Sequence, residues 1–271
     1  MKFERISQKF EDSNGNKVNL NINKNFSIIN FSFRLIIMTS IQNNQGKKTI
    51  FACFAHADDE LGCVGTMANH VARGDHVVLC FATYGEMTSL FGEKPKEEII
   101  REREKHAQKV GEIIGCETMF LDYEDTEVEI TRENAKKMAK VLSEIKPDVI
   151  ITWNSYHRHP DHRSIAQLLI DGVQLARVPR VVTPNPPHRE SVTILQYYDE
   201  RTLLPDIYVD VSESIEKILE ATRCYAETYG WVGAEENILA RRRSTGLKCN
   251  VRYAERFTVL RRRQKAVRYV C

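Results

Sequence analysis

From Lys48 onward the chain alternates two kinds of hydrophobic pattern. Short unbroken apolar runs, TIFACFA at 49–55, HVVLCFAT at 76–83 and DVIITWN at 148–154, predict strands buried on both faces. TMFLD at 118–122 predicts a shorter one. Between these runs the apolar positions follow a helical period. One helix is expected from about Glu60 to Arg73, closed by Gly74. A second spans 96–114, with Ile100, Ala107, Val110 and Ile114 on one face. A third runs from 132 to Ile145, with Thr131 as N-cap and Pro147 as a stop. A fourth runs from about Asp161 to Ala176. This alternation predicts an α/β fold: a mostly parallel sheet with helices on both faces.

The last third changes character. PRVVTPNPPHRE (179–190) reads as a proline-rich loop, and SVTILQYY (191–198) and DIYVDV (206–211) as strands. Ser212 is placed to cap a helix to about Tyr229, and RYAERFTVLRRR (252–263) reads as a strand followed by a basic tail. No internal repeat or domain boundary is evident after residue 48, so 48–271 reads as a single Rossmann-like domain. Residues 1–47 read as an N-terminal extension, either disordered or the product of a misassigned start, with an arm packed on the domain as the alternative.

Composition narrows the class. The net charge of +2 creates no global field for nucleic acid or anionic membranes. The longest apolar stretch, FSIINFSFRLIIM at 26–38, is too short for a membrane span and carries Asn30 and Arg34. The seven cysteines form no Cys-x-x-Cys pair and several lie in apolar runs, which predicts reduced, buried thiols and a cytoplasmic protein.

Chemistry concentrates at two places. AHADDE at 55–60 puts one histidine and three carboxylates at the carboxyl end of the first strand, and HRHPDHR at 157–163 follows the strand at 148–154. If the sheet order is 3-2-1-4-5, these strands are neighbours and both clusters face one crevice. His56 and Asp59 are three residues apart, as are His159 and His162, so each pair can aim at one point. Two nitrogens and one or two carboxylate oxygens, with one position left open, suit a catalytic zinc ion. A divalent cation would also offset the crowded negative charge. An aspartate of the turn left outside the ligand set could act as general base, and a spare histidine could serve the oxyanion or the leaving group. Alone, Asp-Asp-Glu would read as a solvated helix start and His-x-x-His as a surface pair. Together, each after a buried strand, they read as a metal site.

These two motifs resemble those of the LmbE/PIG-L family of zinc-dependent N-acetylglucosaminyl de-N-acetylases, with Ala-His-Pro-Asp-Asp-Glu and His-Pro-Asp-His. The likeness extends from about 49 to 260 and includes ATYGE (82–86), REREKHAQKVGEIIG (101–115) and YAERF (253–257). It implies zinc, or another divalent metal, on His56, Asp59 and His162, with Asp58 as general base and His159 polarising the carbonyl or protonating the amine. It further implies Asp161 behind a histidine and Glu86 and Arg101 in the site's lining. The implied reaction is removal of an N-acetyl group from an N-acetylglucosamine-type sugar or conjugate, releasing acetate. The alternatives are a catalytically silent sugar-binding relative and a metal-free nucleotide- or nucleic-acid-binding domain. The expected partner is the sugar substrate; a homo-oligomer is compatible, and neither nucleic acid nor a membrane span is expected.

The chain departs from the family pattern in two places. Ala57 replaces the motif's proline, and Tyr225 stands where a late-helix histidine falls. Gly62 and Gly65 do not fit a dinucleotide fingerprint and are read as helix packing. The runs RRRS (241–244) and RRR (261–263) could touch phosphates, with solvated or ion-paired arginines as the plainer reading. Trp153 is read as core, with a stacking role as the alternative.

Overall fold

A computed structural model describes residues 5–11, 17–23, 46–198 and 207–261. The chain forms two compact units, Met1–Gly46 and Lys47–Cys271. In the first, strands β1 (Arg5–Glu11) and β2 (Lys17–Asn23) pair antiparallel, Arg5 opposite Asn23 and Glu11 opposite Lys17. KVNLNIN alternates apolar and polar residues, a strand signature inside the segment read as an extension. The apolar stretch at 26–38 lies outside the described residues, and no described helix is long and apolar enough to cross a membrane.

The second unit is built on strands β3 (Thr49–Phe54), β4 (His76–Phe81), β5 (Glu117–Phe120), β6 (Val149–Thr152), β7 (Thr193–Tyr197), β8 (Ile207–Asp210) and β9 (Ala254–Arg261). They form one sheet in the order β5-β4-β3-β6-β7-β9-β8. The first five run parallel, in the 3-2-1-4-5 order that makes the two motif strands neighbours, and β9 is antiparallel to both β7 and β8. β3 and β6 lie side by side, with Phe51 opposite Ile150. The chain steps from β3 outward to β5 and returns to β6, so the topological switch falls at this pair, where open α/β sheets bind ligands.

Helices α1 (Val64–Arg73), α2 (Lys96–Ile114), α3 (Arg132–Ile145), α4 (Pro160–Leu175), α5 (Pro179–Val182), α6 (Ile215–Tyr229) and α7 (Ala234–Lys248) complete the unit. Alternation along β3 divides the core into two layers. Ile50, Ala52 and Phe54 pack with Val64 and Met67 of α1, Val110 and Ile114 of α2 and Ile218 of α6. Phe51, Cys53 and Ala55 pack with Met138 and Leu142 of α3 and Ile165 and Leu169 of α4. Phe51 is fully buried, and Phe51→Ala would cost ~3–5 kcal/mol through lost burial and a cavity.

Local chemistry explains the helix ends. Thr131 Oγ1 accepts the Asn134 N–H at 3.1 Å, capping α3 as expected. Gly74 closes α1 in the left-handed region, φ 89°. α1 lacks a local cap, and the buried Glu255 carboxylate of β9 supplies one, accepting from Gly65 N at 3.1 Å, Thr66 N at 2.9 Å and Thr66 Oγ1 at 2.6 Å. A Cβ at Gly62 would run into the Tyr197 ring, so this glycine serves close packing.

Some expectations need correction. The first helix begins as a separate 3-10 turn, Asp59–Gly62, before α1. The buried stripe of α2 runs through Ile99, Arg103, His106 and Val110, while Ile100 is only partly buried. α5 occupies the start of the proline-rich loop. Ser212 opens a 3-10 turn, bonding Asp210 Oδ1 at 2.6 Å, and Ser214 precedes α6. α7 has no counterpart in the sequence reading. It buries only Thr245 and Gly246, too little for an apolar stripe. Cys53, Cys63 and Cys80 are buried free thiols and Cys116, Cys224 and Cys249 partly buried ones; Cys271 and residues 262–263 of the basic tail lie outside the described residues.

Candidate metal centre

Beyond β3 the chain bends sharply at Asp58, whose backbone is left-handed at φ 111° and ψ −19°. That conformation is uncommon for a residue with a Cβ and costs on the order of 1–3 kcal/mol unless the surroundings enforce it. Here they do. The Asp58 N–H donates to Glu60 Oε2 at 2.9 Å, and Tyr225 of α6 donates its hydroxyl to Glu60 Oε1 at 2.7 Å. Buried Arg103 of α2 bonds the Ala57 carbonyl and lies 3.4 Å from Asp58 Oδ2. Tyr197 of β7 donates to the Asp59 carbonyl at 2.9 Å. The bend separates the two aspartates: Asp59 turns into the protein, its side chain 5% exposed, while that of Asp58 remains 22% exposed.

Asp59 accepts the His56 N–H at 3.0 Å and points at the second motif. His162, in the first turn of α4, has its Nε2 3.1 Å from His56 Nδ1 and 3.4 Å from Asp59 Oδ1. Asp59 Oδ2 is 3.9 Å from His56 Nδ1. Ligands bound tetrahedrally at zinc distances stand about 3.3 Å apart; the two nitrogens meet that spacing, while Asp59 approaches them through different oxygens, Oδ1 toward His162 and Oδ2 toward His56. The far side of His56 fits too. Its Nε2 faces Asp125 Oδ1 at 2.9 Å and Asp161 Oδ2 at 3.5 Å. Those carboxylates only accept, so Nε2 carries a proton, and a cation at the centre would displace the proton on Nδ1 and take its lone pair. His159 completes the group, its ring 4.9 Å from that of His56 and 4.7 Å from that of His162. Two overlapping sets of possible ligands share His56: one with His159 and His162, the other with Asp125 and Asp161.

The electrostatics show what the cluster lacks. Burial opposes charge on His56, but Asp125, Asp161 and Asp59 outweigh it and lift its pKa to about 10. Burial and the charge on His56 push His162 down to about 2. Burial, with repulsion from Asp58, lifts Asp59 to about 7, and burial lifts Glu60 to about 8. Burial also raises Asp58, against the pull of Arg103 and His56, and burial with the charge on His56 lowers His159. Buried acids forced toward neutrality beside a cationic imidazole are what a divalent cation would relieve.

The sequence-predicted residues divide. His56, Asp58, Asp59, His159, Asp161 and His162 converge within the cluster. Glu86 stands behind it, accepting the Asp125 N–H at 3.3 Å and pairing with Lys96 at 3.2 Å. Arg101 does not join: it is exposed on α2, and Arg103 is the arginine that reaches the motif, because two helical residues turn the chain by about 200°. Asp125 was not anticipated. Its signal was position, five residues past β5 and hence at the same carboxyl edge as both motifs. Tyr225 supports Glu60. Trp153 stacks on His162 at 4.5 Å and lies tilted against His157 at 4.2 Å.

Two cavities meet at the cluster and share Asp58, Asp59 and His162. The larger, about 960 Å³, is walled by Trp153, Tyr197 and Trp231 and edged by Arg158 and Arg241. The smaller, about 260 Å³, is lined by His56, His159, Asp125, Arg103, Met87 and Leu90.

Residues 51–173 match the family model described as PIG-L: GlcNAc-PI de-N-acetylase. The chain is 29% identical over 192 residues to a diacetylchitobiose deacetylase of Thermococcus kodakarensis, covering 67% of this chain and 70% of that protein. Its fold resembles that of a conserved protein from Thermus thermophilus, with TM-score 0.70 and 27% identity over 81% of this chain and 97% of the other. It also resembles the N,N'-diacetylchitobiose deacetylase of Pyrococcus horikoshii, solved with an inhibitor, with TM-score 0.72 and 24% identity over 88% and 94%.

Proposed function

We propose that this chain, which carries a PIG-L (LmbE) family domain, is a metal-dependent amidohydrolase that removes the N-acetyl group of an N-acetylglucosamine-type sugar. The observation that carries the reading is the convergence of His56 Nδ1 and His162 Nε2, 3.1 Å apart, with His159 beside them, Asp59 reaching His162 through Oδ1 at 3.4 Å and His56 through Oδ2 at 3.9 Å, and Asp58 opening to both cavities. His56, Asp59 and His162 would hold zinc, or a metal of like preference. Bound there, the ion supplies Lewis acidity toward the acyl oxygen and makes water acidic enough to attack near neutral pH.

The remaining chemistry belongs to the chain. Asp58 takes the proton of the attacking water; its bend keeps its carboxylate out of the ligand set, and Arg103 fixes its position. His159 faces the same centre and stabilises charge developing on the acyl oxygen. The amine departs with a proton from Asp58 or His159, and acetate is released. Asp125 and Asp161 hold His56 in the tautomer that presents Nδ1.

The test combines metal analysis of the purified protein with acetate release from a panel of N-acetylglucosamine conjugates. Stoichiometric metal with acetate release from at least one conjugate supports the reading. Bound sugar without acetate release would favour a binding protein on the same fold.

A further inference from the structure

Trp153 takes no part in the chemistry above, yet it lies against the ligands of both motifs. It stands one residue past β6, at the edge of the sheet where β3 and β6 are neighbours. Its ring stacks on His162 at 4.5 Å with the planes 19° apart, and meets Tyr197 edge-on at 4.8 Å. One face of the indole therefore supports a ligand of the second motif.

Packing does not account for its polar atom. Trp153 Nε1 is buried, and its N–H meets full hydrogen-bond geometry with no described residue. Buried donors are rarely left unpaired. The ring lines the large cavity, but Nε1 itself is closed to solvent, so its partner is a protein group and not a substrate. The acceptor it faces is the Asp59 carboxylate. Burial and repulsion from Asp58 raise that carboxyl, while the charge on His56, the His56 N–H and the Trp153 indole N–H pull it down. Asp59 has room for such a donor. Among the described residues, the one full-geometry hydrogen bond to its side chain runs from the His56 N–H to Oδ2 at 3.0 Å. A carboxylate tied at one oxygen can still swing about that bond. Carboxylates that bind metals are themselves hydrogen-bonded, and the donors orient them.

Resting on the metal-dependent reading above, we propose that the Trp153 indole N–H donates to the Asp59 carboxylate in the metal-loaded centre, so that one side chain positions a ligand of each motif, His162 by stacking and Asp59 by donation. Trp153 is a positioning residue: it acts through the two ligands and does not touch the reacting atoms. The site then requires an indole at this position and not merely a flat apolar ring.

The test reads the N–H itself. The chain has two tryptophans, so protein labelled with nitrogen-15 in the indole gives two Nε1–H signals, which Trp231→Phe assigns. Zinc alone is added to metal-stripped protein. The Trp153 proton should move downfield on loading and exchange with deuterium oxide more slowly than before. A second arm replaces the Trp153 indole by its benzothiophene isostere through an expanded genetic code. The isostere keeps the ring and its stacking and removes the N–H. Its zinc affinity, from chelator competition, should fall about tenfold, with the melting midpoint of the metal-free protein unchanged. An indole signal that zinc leaves unmoved, or an isostere that binds zinc as tightly as the natural chain, overturns the proposal. Acetate release by the natural chain would leave the deacetylase reading standing in either case. A zinc-shifted signal and a weakened isostere, in a chain that releases acetate from no N-acetylglucosamine conjugate, would do the reverse. A chain that takes up no zinc would sink both.

Discussion

The two turns that meet at the candidate metal centre are held in different ways. The turn after β3 is fixed by hydrogen bonds from distant elements: Arg103 of α2, Tyr197 of β7 and Tyr225 of α6 all bind within His56–Glu60 or its backbone. The turn before α4 has its own local hydrogen bonds, Arg163 to the carbonyls of His157 and Arg158 at 2.8 Å, and its histidines are set by rings in mutual contact, Trp153, His157 and His162 standing 4.2–4.5 Å from one another. Nδ1 of His159 and Nδ1 of His162 are buried with no hydrogen-bond partner among the described residues. The first turn is thus preorganised before any ion arrives, while the second leaves polar atoms whose alignment depends on what binds.

Removing a donor from either turn has the largest effect. His162→Ala and Asp59→Ala should each lower metal affinity by a hundredfold or more, ~3 kcal/mol, and abolish turnover. Stoichiometric metal at unchanged affinity would refute the ligand assignment. Asp58→Asn should keep the metal and lower kcat by about 10²–10⁴. A variant near full rate would remove the general-base role.

The supports come next, and they separate the two turns. Trp153→Leu should weaken metal binding about 10–100-fold with little loss of stability, because stacking orients His162. Tyr225→Phe should instead lower the melting midpoint, at a cost of about 1–3 kcal/mol, because it takes a donor from buried Glu60. Equal effects on both quantities from both variants would erase the distinction.

A smaller effect concerns pH. The Glu60 carboxyl lies at about 8 in the folded chain against 4.5 as the ordinary value. A raised carboxyl favours the fold while protonated, so its contribution is complete below pH 4.5 and is lost as pH rises toward 8. In metal-free protein, Glu60→Gln should flatten the decline of urea-melt stability across that window; an unchanged slope would contradict the burial argument. Arg101→Ala should change least, within about 0.5 kcal/mol and at full turnover.

The sequence exposed what contiguity and period can carry. β3, β4 and β6 are buried on both faces and so read as unbroken apolar runs, and their order placed both motifs at one edge of the sheet. The motif residues were visible because each set sits within a few positions. The supports were not, because each is a single polar residue whose role exists only after packing. Asp125 is one carboxylate among several in LDYED. Arg103 lies in a helix so rich in charge that its buried stripe, Ile99–Arg103–His106–Val110, includes a cation. α7 escaped notice for a related reason: its charged faces show no apolar period, and its ties, such as Arg242 to Glu255, are made by tertiary pairing.

The central claim is that the two turns form one metal-dependent hydrolytic site. Zinc titration of metal-stripped protein, read as acetate release from an N-acetylglucosamine conjugate that the untreated enzyme hydrolyses, tests it most directly. Activity should be absent at the start, rise with added zinc and reach its plateau at one equivalent per chain. Acetate release that persists undiminished in the stripped protein would contradict the account.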